Sequence, residues 1–154
     1  MNNLCREVLH RLAGKTLVTA ESCTGGGIGA ALTAIPGSSA VYKGGVISYC
    51  NDVKMEILGV SREVLDRYGA VSLPVAGMMS TGVRKLLKSD VSVSVTGLAG
   101  PDGDEYGNPV GTVYIGYEDS GKSIARKFLF VGDREAIRSQ AIAAALNMIL
   151  ENNP

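Results

Sequence analysis

A serine, a tyrosine and a lysine raise the first chemical question. Ser39, Tyr49 and Lys54 fall within sixteen residues and are the residue types of a nucleophile–base set that works without histidine. A lysine acts as a base when burial or a neighbouring cation brings its pKa well below its usual value of about 10.4. A tyrosine can relay or orient a proton. Spacing alone favours a plainer reading, with Ser39 a cap, Tyr49 a strand aromatic and Lys54 a solvated lysine. The rest of the inventory narrows the options. The single histidine, His10, sits beside Leu9 on the opening helix, so a Ser-His-Asp triad would depend on that one residue and a His-rich zinc site is not available. Cys5, Cys23 and Cys50 form no C-x-x-C pair and are odd in number, which points to reduced thiols in a cytoplasmic protein rather than a disulfide framework. Cys23 and Cys50 read as small buried fillers. Any base is expected among Lys, Tyr, Asp or Glu, with no metal.

Two further loops follow predicted strands, where α/β proteins tend to bind ligands. Ala20-Glu21-Ser22-Cys23-Thr24-Gly25-Gly26-Gly27 combines hydroxyls with glycines that permit close backbone approach. The helix after it offers free N–H groups to an anion such as a phosphate. The stretch matches neither the P-loop nor the dinucleotide fingerprint, and a tight turn with a Ser or Thr cap explains its spacing equally well. Thr96-Gly97-Leu98-Ala99-Gly100-Pro101-Asp102-Gly103 is a second candidate backbone cradle, although Pro-Asp-Gly is also a common turn. Arg134 and Arg138, one helical turn apart, could both reach a phosphate or carboxylate, or could pair with Asp133 and Glu135 on a solvated face.

These loops need a scaffold, and the composition describes one. The chain has 154 residues, with fifteen Lys and Arg against fifteen Asp and Glu, 45% apolar and 19% charged residues. That suits one folded domain, residues 1–154, and removes the broad basic field of a nucleic-acid or anionic-lipid binder. The uncharged run from Ser22 to Tyr42 is rich in Gly, Ser, Thr and Ala and broken by Pro36-Gly37, so it is not a membrane span. The charged N-terminus lacks the apolar core of a signal peptide.

Leu4, Val8, Leu9 and Leu12 share a helical face closed by Gly14, and Thr16–Ala20 reads as a strand. A small-residue helix is expected over Gly27–Ile35 and a strand over Val41–Tyr49. A short helix capped by Asn51 or Asp52 should carry Lys54, and Ser61 should cap the next. Pro74 opens a helix to Leu87. Val91, Val93 and Val95 alternate with Ser92, Ser94 and Thr96 as in a strand. Val110–Tyr117 and Ser123–Phe130 flank Ser120-Gly121 as a hairpin, and Asp133 caps a last helix to Leu150. Strands interleaved with helices, plus one hairpin, predict a single α/β domain with a mixed sheet.

Several blocks together resemble one family. Ala20-Glu21-Ser22-Cys23-Thr24-Gly25-Gly26, Pro36-Gly37-Ser38-Ser39 and Gly44-Gly45-Val46-Ile47-Ser48-Tyr49-x-Asn51-x-x-Lys54 are similar to the C-terminal domain of the competence/damage-inducible protein CinA. Gly69-Ala70-Val71-Ser72, Thr96 to Gly103, Pro109-Val110-Gly111-Thr112-Val113 and Gly132-Asp133-Arg134-x-x-Ile137-Arg138 continue the match in the family's order. The resemblance implies a three-layer α/β/α sandwich with a mixed, mostly parallel sheet. It also implies the activity of the family's nicotinamide-nucleotide amidohydrolases, which hydrolyse the carboxamide of nicotinamide mononucleotide (NMN) to nicotinate mononucleotide and ammonia, without metal or organic cofactor.

The same resemblance puts the catalytic serine, tyrosine and lysine on Ser39, Tyr49 and Lys54, and substrate binding on Ser22, Thr24, Gly25, Gly26, Thr96, Gly97 and Arg134. Backbone N–H groups near Ser39 or in the Thr96–Gly100 loop would hold the oxyanion. Longer members carry an additional N-terminal domain associated with ADP-ribose pyrophosphatase activity, and that second activity is not expected of this chain. The expected protein is a cytoplasmic homo-oligomer that takes a small-molecule substrate and neither nucleic acid nor membrane. The alternative is a nucleotide-binding module that uses the same loops without catalysis.

Overall fold

The computed structural model describes residues 1–154. Helix α1 (Asn2–Arg11) precedes β1 (Leu17–Glu21), α2 (Gly27–Thr33), a 3-10 turn over Ser38–Ala40 and β2 (Tyr42–Ile47). Three helices follow, α3 (Asn51–Glu56), α4 (Arg62–Tyr68) and α5 (Leu73–Leu87). Strands β3 (Val91–Gly97), β4 (Thr112–Glu118) and β5 (Ser123–Leu129) and helix α6 (Arg134–Glu151) complete the chain.

The strands form one sheet in the order β2-β1-β3-β4-β5. β1 pairs in parallel with β2 and β3, and the β3–β4 and β4–β5 ladders are antiparallel. The sheet is mixed, as expected, with β4 alone running against the others.

Two cores put helices on both faces of this sheet. The larger joins α1, α2 and α6 to Leu17, Val91, Val93, Val95, Val113 and Ile115. The smaller packs Val18 and Ala20 against Leu58, Val60, Leu65 and the α5 residues Val75, Met79 and Val83. The connection from β1 to β2 therefore passes over one face, and the connection from β2 to β3 passes over the other. These connections diverge at β1, so the C-terminal ends of β1 and β3 open a crevice of the kind that α/β sheets use for ligands.

Strand β3 departs from the usual meaning of alternation. Its valines enter the larger core, yet Ser92, Ser94 and Thr96 are just as buried. Each hydroxyl donates to a carbonyl oxygen on the α5 side, Ser92 to Ser80 at 2.7 Å, Ser94 to Ala76 at 2.6 Å and Thr96 to Ala70 at 2.8 Å. Buried polar groups are tolerable when paired in this way. The short side chains also let α5 lie close on the sheet.

The expected caps at Ser61 and Asp133 are present, accepting from the amides of Val64 and Ala136. At α3 the expectation is corrected, because Cys50 occupies the cap position and no side chain caps the helix. Asn51 and Asp52 already lie inside its first turn.

Gly116, opposite Ser94 in the β3–β4 ladder, completes the close approach. A Cβ there would meet the carbonyl oxygen of Ala76 and the hydroxyl of Ser94, each at 2.5 Å. Gly116→Ala should therefore lower stability by about 1–3 kcal/mol, the usual cost of overpacking. Urea denaturation measures this, and an unchanged midpoint would contradict the tight α5 packing.

Candidate active site

The site is built around the turn after β1. Glu21, only 2% exposed, points back into the protein beneath this turn. Its Oε1 accepts from the Thr24 hydroxyl at 2.7 Å and the Ile28 amide at 2.9 Å. Its Oε2 accepts from the Gly29 amide and the Thr19 hydroxyl, both at 3.1 Å. One buried carboxylate thus satisfies two of the amides that open α2 and complements the helix dipole. Gly25 and Gly26, with φ of 58° and 97°, turn the chain into α2 in a conformation that side chains disfavour. From the other side, Arg138 donates to the carbonyl oxygens of Cys23 and Thr24, each at 3.0 Å. The turn is braced on both sides.

Ser22 emerges from this brace at the C-terminal end of β1. Lys54 approaches it from α3, 2% exposed. The lysine Nζ donates to Ser22 Oγ at 3.0 Å and to the Ser48 carbonyl oxygen at 2.6 Å. Both acceptors are neutral, and none of the chain's three ion pairs involves Lys54. Burial without a counter-ion disfavours the ammonium and pulls the lysine pKa down. When the amine is neutral, the Ser22 hydroxyl can donate to it instead. That is the arrangement of a serine nucleophile with a lysine base.

Ser22 and Lys54 open on a cavity of about 300 Å³, also lined by Cys23, Tyr49, Asn51, Thr96, Leu98 to Gly100, Asp102 and Arg134. Arg134, at the start of α6, donates to the Gly100 carbonyl oxygen at 2.6 Å and to the Tyr49 hydroxyl at 2.9 Å. The loop amides of Cys23, Ala99 and Gly100 make no backbone hydrogen bond, so they are available to an oxyanion. No three His, Cys, Asp or Glu side chains gather as ligands for a metal ion.

Among the residues singled out from sequence, the structure gathers Ser22, Tyr49, Lys54, Thr96, Gly97 and Arg134 around this cavity. Ser39 is not among them. It is exposed in the turn before β2, whereas Tyr49 and Lys54 follow that strand. Six strand residues at about 3.3 Å each put roughly 20 Å between the two ends. Ser39 therefore cannot reach the Lys54 amine.

Thr24, Gly25 and Gly26 shape the turn without lining the cavity, and the Thr24 hydroxyl is engaged by Glu21. The Tyr49 hydroxyl meets Arg134 and makes no hydrogen bond to Lys54. Arg138 donates to the loop carbonyls of Cys23 and Thr24 and does not line the cavity. Cys23 is buried as expected, with its thiol pushed up to about 11 by desolvation, but Cys50 is exposed. Asn51 and Asp102 line the cavity without having been assigned to it. Their places inside the matched blocks beside Lys54 and Gly100 were the available signal.

A sequence model of the CinA C-terminal domain matches residues 2–152. The chain belongs to the CinA C-terminal domain family. Within this CinA family, the protein named nicotinamide-nucleotide amidohydrolase PncC of Escherichia coli (strain K12) is 44% identical over 137 residues, covering 88% of this chain and 83% of that protein. A CinA-like protein of Thermosynechococcus vestitus is 53% identical over 121 residues, covering 78% of this chain and 29% of its own length. The chain spans about a third of several curated relatives, 33% and 37% for two putative competence-damage inducible proteins.

The crystal structure of a CinA superfamily protein from Escherichia coli superposes with a TM-score of 0.96 at 38% identity, covering 98% of this chain and 89% of that one. A competence/damage inducible protein from Agrobacterium tumefaciens gives 0.96 at 36% identity, covering 99% and 95%. The mixed α/β sheet is thus the CinA superfamily fold. No helix of the chain is long and apolar enough to cross a membrane.

The lowered Lys54 pKa has a thermodynamic signature. Between the folded pKa and the unfolded value of about 10.4, the unfolded chain holds a proton that the folded chain has lost. Stability must rise with pH across that window. Lys54→Met removes this contribution, so stability should climb more steeply with pH in the wild type than in the variant as pH approaches 10. Denaturant unfolding at a series of pH values reads the difference, and parallel curves would mean that the buried amine keeps its ordinary pKa.

Proposed function

We propose that this chain hydrolyses the carboxamide of nicotinamide mononucleotide, giving nicotinate mononucleotide and ammonia, with Ser22 as nucleophile and Lys54 as its base. The observation that carries the reading is the 3.0 Å contact between a buried lysine amine and a serine hydroxyl at a cavity edge. The 44% identity to a protein named as the amidohydrolase of this nucleotide supports the substrate.

An amide is resonance-stabilised, so its cleavage needs an activated nucleophile, a stabilised oxyanion and a proton for the leaving nitrogen. Neutral Lys54 takes the Ser22 proton as Oγ attacks the carboxamide carbon. The tetrahedral oxyanion is held by free loop amides, those of Cys23, Ala99 and Gly100 being the candidates on this cavity. Lys54, now an ammonium ion, gives its proton to the departing nitrogen, and ammonia leaves. Water then attacks the Ser22 ester, with Lys54 accepting its proton and returning one to Oγ.

Arg134 is the cation available to the 5′-phosphate, because Glu21 already occupies the amides of Ile28 and Gly29 at the start of α2. Tyr49 orients the Arg134 guanidinium at the cavity mouth rather than relaying the serine proton.

Ammonia release from NMN tests these roles. Ser22→Ala and Lys54→Met should each lose on the order of a thousandfold or more in kcat, while Ser39→Ala stays within about twofold of wild type. Near-normal turnover by Ser22→Ala would sink the nucleophile assignment, and NMN binding without ammonia release by the wild type would favour the non-catalytic module. Arg134→Ala should raise KM about tenfold or more, the scale of one lost charge-assisted hydrogen bond, with a smaller change in kcat. Activity should fall as the pH drops through the lowered Lys54 pKa, because a protonated amine accepts nothing.

A further inference from the structure

Lys54 is the one titratable side chain hydrogen-bonded to Ser22, so the same amine must serve both halves of the reaction. The other titratable groups around the cavity are unsuited to activating water. The Tyr49 hydroxyl is held by Arg134, burial keeps the Cys23 thiol protonated, and Asp102 is exposed on the β3–β4 loop. Neither a second carboxylate nor an imidazole lines the cavity beside Ser22 and Lys54. The deacylating water therefore has no base of its own, and the Lys54 amine that takes its proton can take one from another small nucleophile in the same place. The cavity also opens to solvent past Tyr49, which is 61% exposed, so a molecule the size of the departing ammonia can enter by the route along which ammonia leaves.

We propose that the acyl group carried on Ser22 is transferred to small uncharged nitrogen nucleophiles as well as to water, making the protein an acyltransferase toward amines of the hydroxylamine class. This rests on the proposed amidohydrolase reading, with Ser22 as nucleophile. In the first half-reaction the bond from Ser22 Oγ to the carboxamide carbon forms, the C–N bond breaks, and the serine proton departs with ammonia through Lys54. In the second, the hydroxylamine nitrogen bonds to the acyl carbon and the ester C–O bond breaks. The proton lost by that nitrogen reaches Ser22 Oγ through Lys54. No electrons are gained or lost, and the product is the hydroxamate of the nucleotide.

The experiment supplies the wild-type protein with NMN and increasing hydroxylamine at a pH where hydroxylamine is uncharged. Ammonia is measured, and the acyl products are separated by mass. The ratio of hydroxamate to nicotinate mononucleotide should rise in proportion to hydroxylamine, the two together should equal the ammonia released, and Ser22→Ala should lose both. Ammonia and nicotinate mononucleotide without hydroxamate would overturn the transfer and leave the amidohydrolase reading standing. Hydroxamate formed equally by Ser22→Ala would overturn the route through Ser22. Absence of ammonia and of both acyl products would overturn the proposed function and the transfer with it.

Discussion

The carboxylate of Glu21 is the contact on which the candidate site depends. It reaches inward from the last residue of β1 and gathers two hydroxyls and two amides of the first turn of α2. The side chain of the next residue points away from it, into the crevice, so fixing Glu21 also aims Ser22. A helix start is an attractive place for a substrate phosphate, and the glycine-rich sequence invites that assignment. Here the attraction is satisfied by the protein's own anion. The phosphate contact proposed above therefore falls to Arg134, and the turn is a rigid mount for Ser22.

Lys54 is the complementary element, and its logic is electrostatic. A buried ammonium needs either a carboxylate partner or a reduced tendency to carry charge. Glu21 directly precedes Ser22, yet its oxygens are occupied by four other donors, and Lys54 is left with a serine hydroxyl and a carbonyl oxygen. A salt bridge at this position would have stabilised the charged amine and removed its capacity to accept a proton. The arrangement gives up some stability at neutral pH and leaves the amine able to accept a proton, a common exchange at functional sites.

Much of this was legible in the sequence, for reasons that differ between fold and site. Caps at Ser61 and Asp133, the proline in the first turn of α5 and the hairpin around Ser120-Gly121 are local signals, and local hydrogen bonding decided them. The β3 alternation identified a strand without disclosing that both faces are covered, because hydroxyls bonded to α5 carbonyls look like solvent-facing residues in sequence. Ser39 shows the other limit. It lies closer in sequence to Lys54 than Ser22 does, but β2 runs between Ser39 and the site end of the sheet. Parallel pairing of β1 with β2 instead sets the residues after both strands side by side, Ser22 with Ser48 and the start of α3. Chain proximity and spatial proximity are opposed whenever a strand intervenes.

The same topology explains why a site of this kind can be assembled without histidine. The crevice at the ends of β1 and β3 receives Ser22 from the first strand, Lys54 from the helix after the second, loop amides from the turn after the third and Arg134 from the last helix. Each contributor is anchored by its own element, so no side chain has to span the cavity. A histidine would arrive with a pKa already near neutrality, whereas a lysine must have its pKa lowered by its surroundings. Only a position enclosed by several elements removes enough water to do that, and Lys54 occupies one. The absence of a useful histidine and the burial of Lys54 are therefore one design requirement, met by the convergence of strand ends.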